Sequence, residues 1–161
     1  ASSRKVGDSY SCLVAPFLLD STHPLCGVND VFNAVFVHGN VLGDAMFYGS
    51  GAGKLPTASA VVADVVDCAK NKGRNIMMSW SEEKLNLLQI DDVKSRFFVR
   101  VSGHAAERQS EIEKLFGAVE IVAVPSLPEE FAFITGEITE QEYREKAEKL
   151  DGIQSRIRAR I

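Results

Sequence analysis

This sequence has few cysteines, and they form no pattern that builds a structural site. Only Cys12, Cys26 and Cys68 occur in 161 residues, and no two of them have the C-x-x-C spacing. An odd number of widely separated thiols argues against a disulfide framework and against a cysteine-based zinc site. The three histidines are equally scattered, so no metal site is predicted. Reduced thiols are typical of the cytoplasm, which is the expected location.

Long apolar runs and clusters of basic residues are also absent. The apolar stretches are far shorter than a bilayer span of about 20 residues, and no segment has the order of a signal peptide. The formal net charge is −4 and Lys and Arg form no run, so neither a membrane nor a nucleic-acid partner is expected. The remaining composition, 45% hydrophobic and 25% charged, is typical of a soluble globular protein.

The densest local signal is a glycine-rich turn between a predicted strand and a predicted helix. The turn at 49–53 reads GSGAG, follows the apolar residues 45–48 and precedes a helix predicted over 56–70. Glycines let a backbone approach a ligand closely, and the unpaired N–H groups at a helix start attract an anion. The turn is therefore a candidate nucleotide or phosphate contact. The alternative is a corner that needs glycine only for its backbone angles.

Two established nucleotide motifs do not fit this turn. A P-loop requires a glycine where Tyr48 stands and a Ser or Thr where Leu55 stands. The dinucleotide fingerprint G-x-G-x-x-G is one residue longer than the G-x-G-x-G found here. The turn alone does not separate the two alternatives.

The residues around the turn resemble one enzyme family. Residues 23–37 read HPLCGVNDVFNAVFV, and residues 49–67 read GSGAGKLPTASAVVADVVD. The two segments occur in this order, separated by a short stretch of the chain. Together they resemble the end of the catalytic region of homoserine dehydrogenases.

The resemblance implies an activity, a cofactor and a site. Homoserine dehydrogenases interconvert aspartate semialdehyde and homoserine with NAD or NADP, in threonine and methionine biosynthesis. The resemblance implies that Gly53, with Gly51 and Ala52, contacts the nicotinamide cofactor. The family's nucleotide domain and its proton-shuttling lysine belong to upstream motifs, so it implies no catalytic residue in this chain. The chain is expected to be the C-terminal piece of a longer enzyme and to be inactive alone.

The predicted fold class is α+β. Residues 1–72 are expected to form the C-terminal part of the catalytic and dimerisation domain, with a partial mixed or antiparallel sheet and a helix. Strands are predicted at 10–19, 33–37 and 41–48, forming one three-stranded sheet, with a hairpin turn at 38–40. On the helix, small and apolar residues fall on one stripe.

The second half is predicted to contain a linker and a small domain. Residues 73–94 read as a linker whose apolar residues, Trp80 among them, pack on a neighbour. Residues 95–161 follow the order strand, helix, strand, strand, helix, strand, which predicts a ferredoxin-like βαββαβ fold. In this position it resembles an ACT regulatory domain. The turn at 101–107 lacks the Asp-x-x-Gly of effector-binding ACT domains, which leaves effector binding open.

Three single residues carry both a chemical and a structural interpretation. His23 is a candidate catalytic base only if a carboxylate such as Asp20 supports it; otherwise it starts a turn. Asn33 either contacts substrate or bonds the backbone from a buried position. Lys54 is either a cation for a bound anion or a solvated loop lysine.

Two functions from different classes follow from the sequence. The first is an oxidoreductase fragment of homoserine dehydrogenase, and the second is a non-enzymatic ACT-type regulatory or dimerisation module. Under either, a homodimer is expected, since short sheets leave open edges that symmetric pairing covers.

Overall fold

The computed structural model describes residues 1–74 and 79–161. The chain divides into two compact units, one formed by Ala1–Leu19 with Glu83–Ile161 and the other by Asp20–Glu82. In chain order the strands are β1 Ser2–Val6, β2 Ser9–Leu13, β3 Phe17–Leu19, β4 Phe32–Gly39, β5 Gly43–Ser50, β6 Lys94–Ser102, β7 Glu120–Val122, β8 Glu130–Ile134, β9 Ile138–Thr139 and β10 Ile153–Arg160. The helices are α1 Lys54–Lys70, α2 Ala105–Phe116 and α3 Glu140–Ala147, with short 3₁₀ turns at Pro24–Gly27 and Ile90–Asp92. The coarse α+β class is confirmed.

The first unit is built on a sheet with strand order β3-β10-β6-β8-β7. β3 runs parallel to β10, and the other neighbours pair antiparallel. β9 pairs with the start of β6, and β1 with β2 forms a separate antiparallel hairpin. The core lies under this sheet, where alternate residues of β6 point inward as expected for a half-buried strand. Its buried members are Phe97, Val99, Val101, Ile112, Phe116, Phe131, Phe133, Tyr143 and Leu150.

Local sequence signals set both helices of this unit. α2 ends at Gly117, whose φ of 81° suits a glycine after a helix. α3 begins with a capping box. The Thr139 hydroxyl accepts from the Glu142 backbone N–H at 3.1 Å, and the Glu142 carboxylate accepts from the Thr139 N–H at 2.8 Å. That backbone bond lowers the pKa of Glu142 below its usual value.

The predicted strand at 10–19 is wrong as a single element. It is two strands, β2 and β3, separated by Val14-Ala15-Pro16. Pro16 has no N–H to donate to a ladder, which interrupts pairing there. The predicted three-stranded sheet over residues 10–48 is wrong for the same reason, since β2 pairs with β1 and β3 pairs with β10.

The second unit contains the β4–β5 hairpin and α1. β4 and β5 pair antiparallel from Phe32 opposite Ser50 to Gly39 opposite Gly43. The connecting turn is at 40–42, two residues later than predicted, because Gly43 supplies the positive φ of 76°. None of the described residues of this unit is buried, so the apolar stripe on α1 is exposed along its length.

The predicted linker has partial structure at its end. Leu87 forms a parallel bridge with Tyr10, and the Ile90–Asp92 turn leads into β6. The prediction that Trp80 packs is wrong, since this residue is 83% exposed. The apolar residues predicted to dock at 76–78 lie outside the described residues. The predicted boundaries at 72 and 94 stay a prediction.

Candidate functional site

The glycine turn lies between the end of β5 and the start of α1, both within the second unit. β5 ends at Ser50, residues 51–53 bend, and α1 begins at Lys54. Gly51, Ala52 and Gly53 are all exposed. The sequence therefore placed these three candidate residues correctly on one strand-to-helix corner, and the backbone there is open to a ligand.

Gly53 has a backbone conformation that side-chain-bearing residues rarely adopt. Its φ is 116° and its ψ is 160°. An added Cβ would lie 3.5 Å from Cδ of Pro56, which is an ordinary contact. The requirement for glycine at this position is thus conformational, not steric within the chain.

Gly51 is a glycine for a different reason. A Cβ at this position would overlap the Asn33 side chain, with Cγ of Asn33 at 3.0 Å. Asn33 extends from β4, and its amide donates to the Val31 carbonyl at 3.4 Å. The bond to the backbone confirms one part of the structural interpretation of Asn33. The expectation that this amide is buried is wrong, because Asn33 is exposed.

The start of α1 leaves donors free. The first backbone hydrogen bond at this helix start runs from the Thr57 N–H to the Gly53 carbonyl at 3.2 Å. No acceptor within residues 1–74 and 79–161 takes the N–H groups of Lys54 and Leu55, and Pro56 has none. The first turn has no acidic residue. These features together give a weakly electropositive helix start beside backbone that has no Cβ at two of three positions.

The contacts of Lys54 and His23 fit their structural interpretations, and their chemical roles stay predictions. Lys54 is exposed, and none of the recorded ion pairs of the described chain includes it. The His23 ring accepts the Leu25 N–H through Nδ1 at 3.2 Å and caps the Pro24–Gly27 turn. Asp20 does not support the His23 ring. Its carboxylate accepts from the Thr22 hydroxyl and N–H, and those bonds lower its pKa.

The part of the chain that the structure describes offers no metal site and no membrane span. Within it, no three His, Cys, Asp or Glu side chains come together as metal ligands. None of its helices is both long and apolar enough to cross a membrane. The sequence did not predict the contact between Gly51 and Asn33, because nothing in the spacing of these residues shows that β4 and β5 pair in this register.

Comparison with known proteins gives one family. A family model described as homoserine dehydrogenase matches residues 1–66. The homoserine dehydrogenase of Bacillus subtilis is 38% identical over 103 residues, which are 62% of this chain and 24% of that protein. That of Corynebacterium glutamicum is 56% identical over 71 residues, 44% of this chain and 16% of that protein. The chain thus spans a quarter or less of these curated relatives.

Solved structures agree in fold. A homoserine dehydrogenase from Thiobacillus denitrificans superposes with a TM-score of 0.76 at 24% identity, covering 98% of this chain and 41% of that one. An S. aureus homoserine dehydrogenase gives a TM-score of 0.64 at 25% identity, covering 91% and 37%. The resemblance to homoserine dehydrogenases predicted from the sequence is therefore confirmed: residues 1–66 match that family's model, and the fold is similar to that of solved homoserine dehydrogenases.

Proposed function

We propose that this chain is part of a homoserine dehydrogenase, an oxidoreductase that interconverts aspartate semialdehyde and homoserine with NAD or NADP. The observation that carries the proposal is the family match over residues 1–66. This segment includes both the His23-Pro24-Leu25 sequence and the glycine turn at 49–53. Because the chain spans 24% of the Bacillus subtilis relative, the activity is assigned to a longer parent protein.

The role proposed for the glycine turn is contact with the cofactor. The backbone at Gly51, Ala52 and Gly53 is exposed. Gly53 has no side chain that would keep a ligand away from its backbone. Free N–H groups at the start of α1 add donors beside it. This backbone fits close approach by a flat ring or an amide group, which needs room and donors instead of side-chain charge.

In this assignment the chain orients the cofactor and supplies no proton. A bound nicotinamide would donate hydride to the substrate carbon in one direction and accept it in the other. The turn fixes the ring's position by backbone contact, and the Asn33 side chain behind Gly51 limits how far the turn can move. The proton-transferring lysine is assigned to the upstream part of the parent, as the family resemblance implies.

The domain assignment is also a proposal. We assign residues 1–72 to the catalytic and dimerisation domain, 73–94 to a linker and 95–161 to an ACT-like regulatory domain. In support of the last, the strand order β10-β6-β8-β7 with α2 and α3 follows the order of a ferredoxin-like βαββαβ fold. The missing Asp-x-x-Gly leaves the effector undefined.

A non-enzymatic module is the second candidate. It is favoured by the position of the core, because every member of the buried apolar cluster lies between Phe97 and Leu150. A unit with its own core can fold and regulate or assemble without catalysing. For either function we propose a cytoplasmic location, since all three cysteines are free and exposed.

The isolated chain is expected to have no dehydrogenase activity, whereas the parent protein is expected to be active. The chain has no assigned proton-transfer group, and such a group contributes about 10²–10⁴-fold in rate. The assay is homoserine-dependent reduction of NAD or NADP by the purified chain, with the full parent as positive control. Turnover by the chain above a no-protein control would contradict the fragment assignment. A parent that is inactive with both nucleotides would favour the non-enzymatic module.

A second expectation is that the chain forms a homodimer. One face of the β4–β5 hairpin presents apolar side chains to solvent, among them Val35, Val37 and Phe47, and no described residue of its unit is buried. Contiguous apolar surface of this kind marks an interface, and twofold pairing is the commonest closed solution. Light scattering should give about twice the chain mass of 17.6 kDa. A monomer mass at micromolar concentration would contradict this proposal.

A further inference from the structure

A charged cavity lies within the first unit, beside one face of the β1–β2 hairpin. Its volume is about 180 Å³, and its walls come from β1, β2, the start of β6 and the end of β10. A second cavity of about 430 Å³ adjoins it and shares Arg4, Ser11, Lys94 and Glu137. Together they form one concave surface that the glycine turn does not contribute to.

The cavity holds more positive than negative charge. Arg4, Lys94, Arg96 and Arg160 line the smaller cavity against the carboxylate of Glu137, and the larger cavity adds Lys5 and the carboxylate of Asp92. The Arg96 guanidinium already makes hydrogen bonds to the protein. It donates to the Thr135 carbonyl at 3.1 Å and to the Ile161 carbonyl at 2.6 Å.

The other three cations keep donors available. Arg4 donates to the Lys94 carbonyl at 3.3 Å, and the Arg160 guanidinium lies 5.6 Å from the centre of the Phe17 ring. Within the described residues, none of Arg4, Lys94 and Arg160 forms an ion pair. These three exposed cations line the cavity with no carboxylate at ion-pair distance among the described residues, and the charge of Lys94 also helps to lower the pKa of Glu142.

Ser11 provides an independent observation that points to a ligand. It is 6% exposed, and it lines both cavities. Within the described part of the chain its hydroxyl makes no hydrogen bond and its oxygen is not sealed from solvent, so it is free to donate to a ligand in the cavity. Ser11 stands directly opposite Arg4 in the β1–β2 ladder, so both side chains emerge on the same face. A buried hydroxyl and a guanidinium therefore point into one space.

We propose that this cavity binds a small oxyanion, either a phosphate or a carboxylate group. Arg4 and Lys94 neutralise its charge, the Ser11 hydroxyl donates to one oxygen, and Arg160 closes the far wall. Guanidinium, ammonium and hydroxyl donors match the oxygens of such groups, and charge-assisted hydrogen bonds are the strong ones. An ammonium-bearing ligand fits less well, since Glu137 is the one acceptor carboxylate in the smaller cavity.

The test is calorimetric titration of the full 161-residue chain at low ionic strength with two probes, inorganic phosphate and succinate. Saturable binding of at least one probe is expected, and which one binds shows whether the group is phosphate or carboxylate. Lys94→Gln and Ser11→Ala should each weaken that binding, the former at least about tenfold since it removes a charge-assisted bond. The control is Lys114→Ala, an exposed lysine of α2 outside the cavity, which should bind as wild type does.

A second measurement needs no variant. Amide chemical shifts of the wild-type chain, titrated with the probe that binds, should move at 2–13 and 93–96 and stay fixed along α2. Absence of saturable binding by both probes would overturn the proposal. It would also be overturned by an equal weakening in Lys114→Ala, or by shifts that spread over the lysines of the whole surface.

Discussion

Replacing Phe97 with alanine is expected to lower the free energy of unfolding by about 3–5 kcal/mol. Phe97 is 0% exposed at the centre of the sheet, and its ring centre lies 4.5 Å from that of Tyr143. The Arg156 guanidinium covers the same ring at 5.2 Å. Truncation removes the ring from all these contacts and leaves a cavity that the fully buried neighbours Val99 and Phe133 cannot fill without moving.

Phe47→Ala is the matched control for this prediction. Phe47 is also a strand phenylalanine, but it is 69% exposed in β5, so its loss should cost less than about 1 kcal/mol in the monomer. Urea unfolding followed by circular dichroism, at a dilution where the chain is monomeric, compares the two. A smaller loss for Phe97→Ala than for Phe47→Ala would contradict the position of the core.

Features encoded within a few residues were predictable. α2 ends where Gly117 supplies a positive φ, and α3 starts where Thr139 and Glu142 cap each other. Each of these signals acts between residues at most four apart, so the sequence contains all the information that fixes the boundary.

Features that depend on distant partners were not predictable. Nothing near Phe17 indicates that β3 pairs with β10, which is about 140 residues away in the register that joins Phe17 to Arg158. The exposure of Trp80 is a similar case, because an apolar residue in a polar segment packs only where a partner exists.

The candidate site divides in the same way. The glycine pattern predicted the strand-to-helix corner, and the positive φ of Gly53 is the backbone conformation that the structural alternative required. The reason for Gly51, its approach to Asn33, depends on the register of β4 and β5 and emerged only from the structure. The cationic cavity combines residues from both ends of the chain, and no local motif marks it.

The larger functional effect is expected at Gly53. In the parent enzyme, Gly53→Ala should raise KM for NAD or NADP, or lower kcat, by at least about fivefold. Alanine at a φ of 116° costs about 1 kcal/mol or more, and its Cβ intrudes where the proposed cofactor approaches. Lys54→Ala, at the next residue, should change neither constant by more than about twofold, because this exposed lysine makes no ion pair with any described residue.

Gly49→Ala is the control for the Gly53→Ala variant. It tests whether replacing a nearby glycine that has no positive φ has the same effect as straining the backbone at Gly53. Gly49 lies in β5, does not have a positive φ, and an added Cβ there meets nothing within 4 Å. Its kinetics and thermal stability should therefore match those of the wild type, which isolates the effect of the turn itself.

The most direct measurement is the KM for the nicotinamide cofactor in the Gly53→Ala parent enzyme, taken beside the KM for homoserine and the melting temperature. We predict that KM for the nicotinamide cofactor rises while KM for homoserine stays near its wild-type value. A lower melting temperature with unchanged cofactor kinetics would contradict it, and would show that Gly53 is only a structural corner.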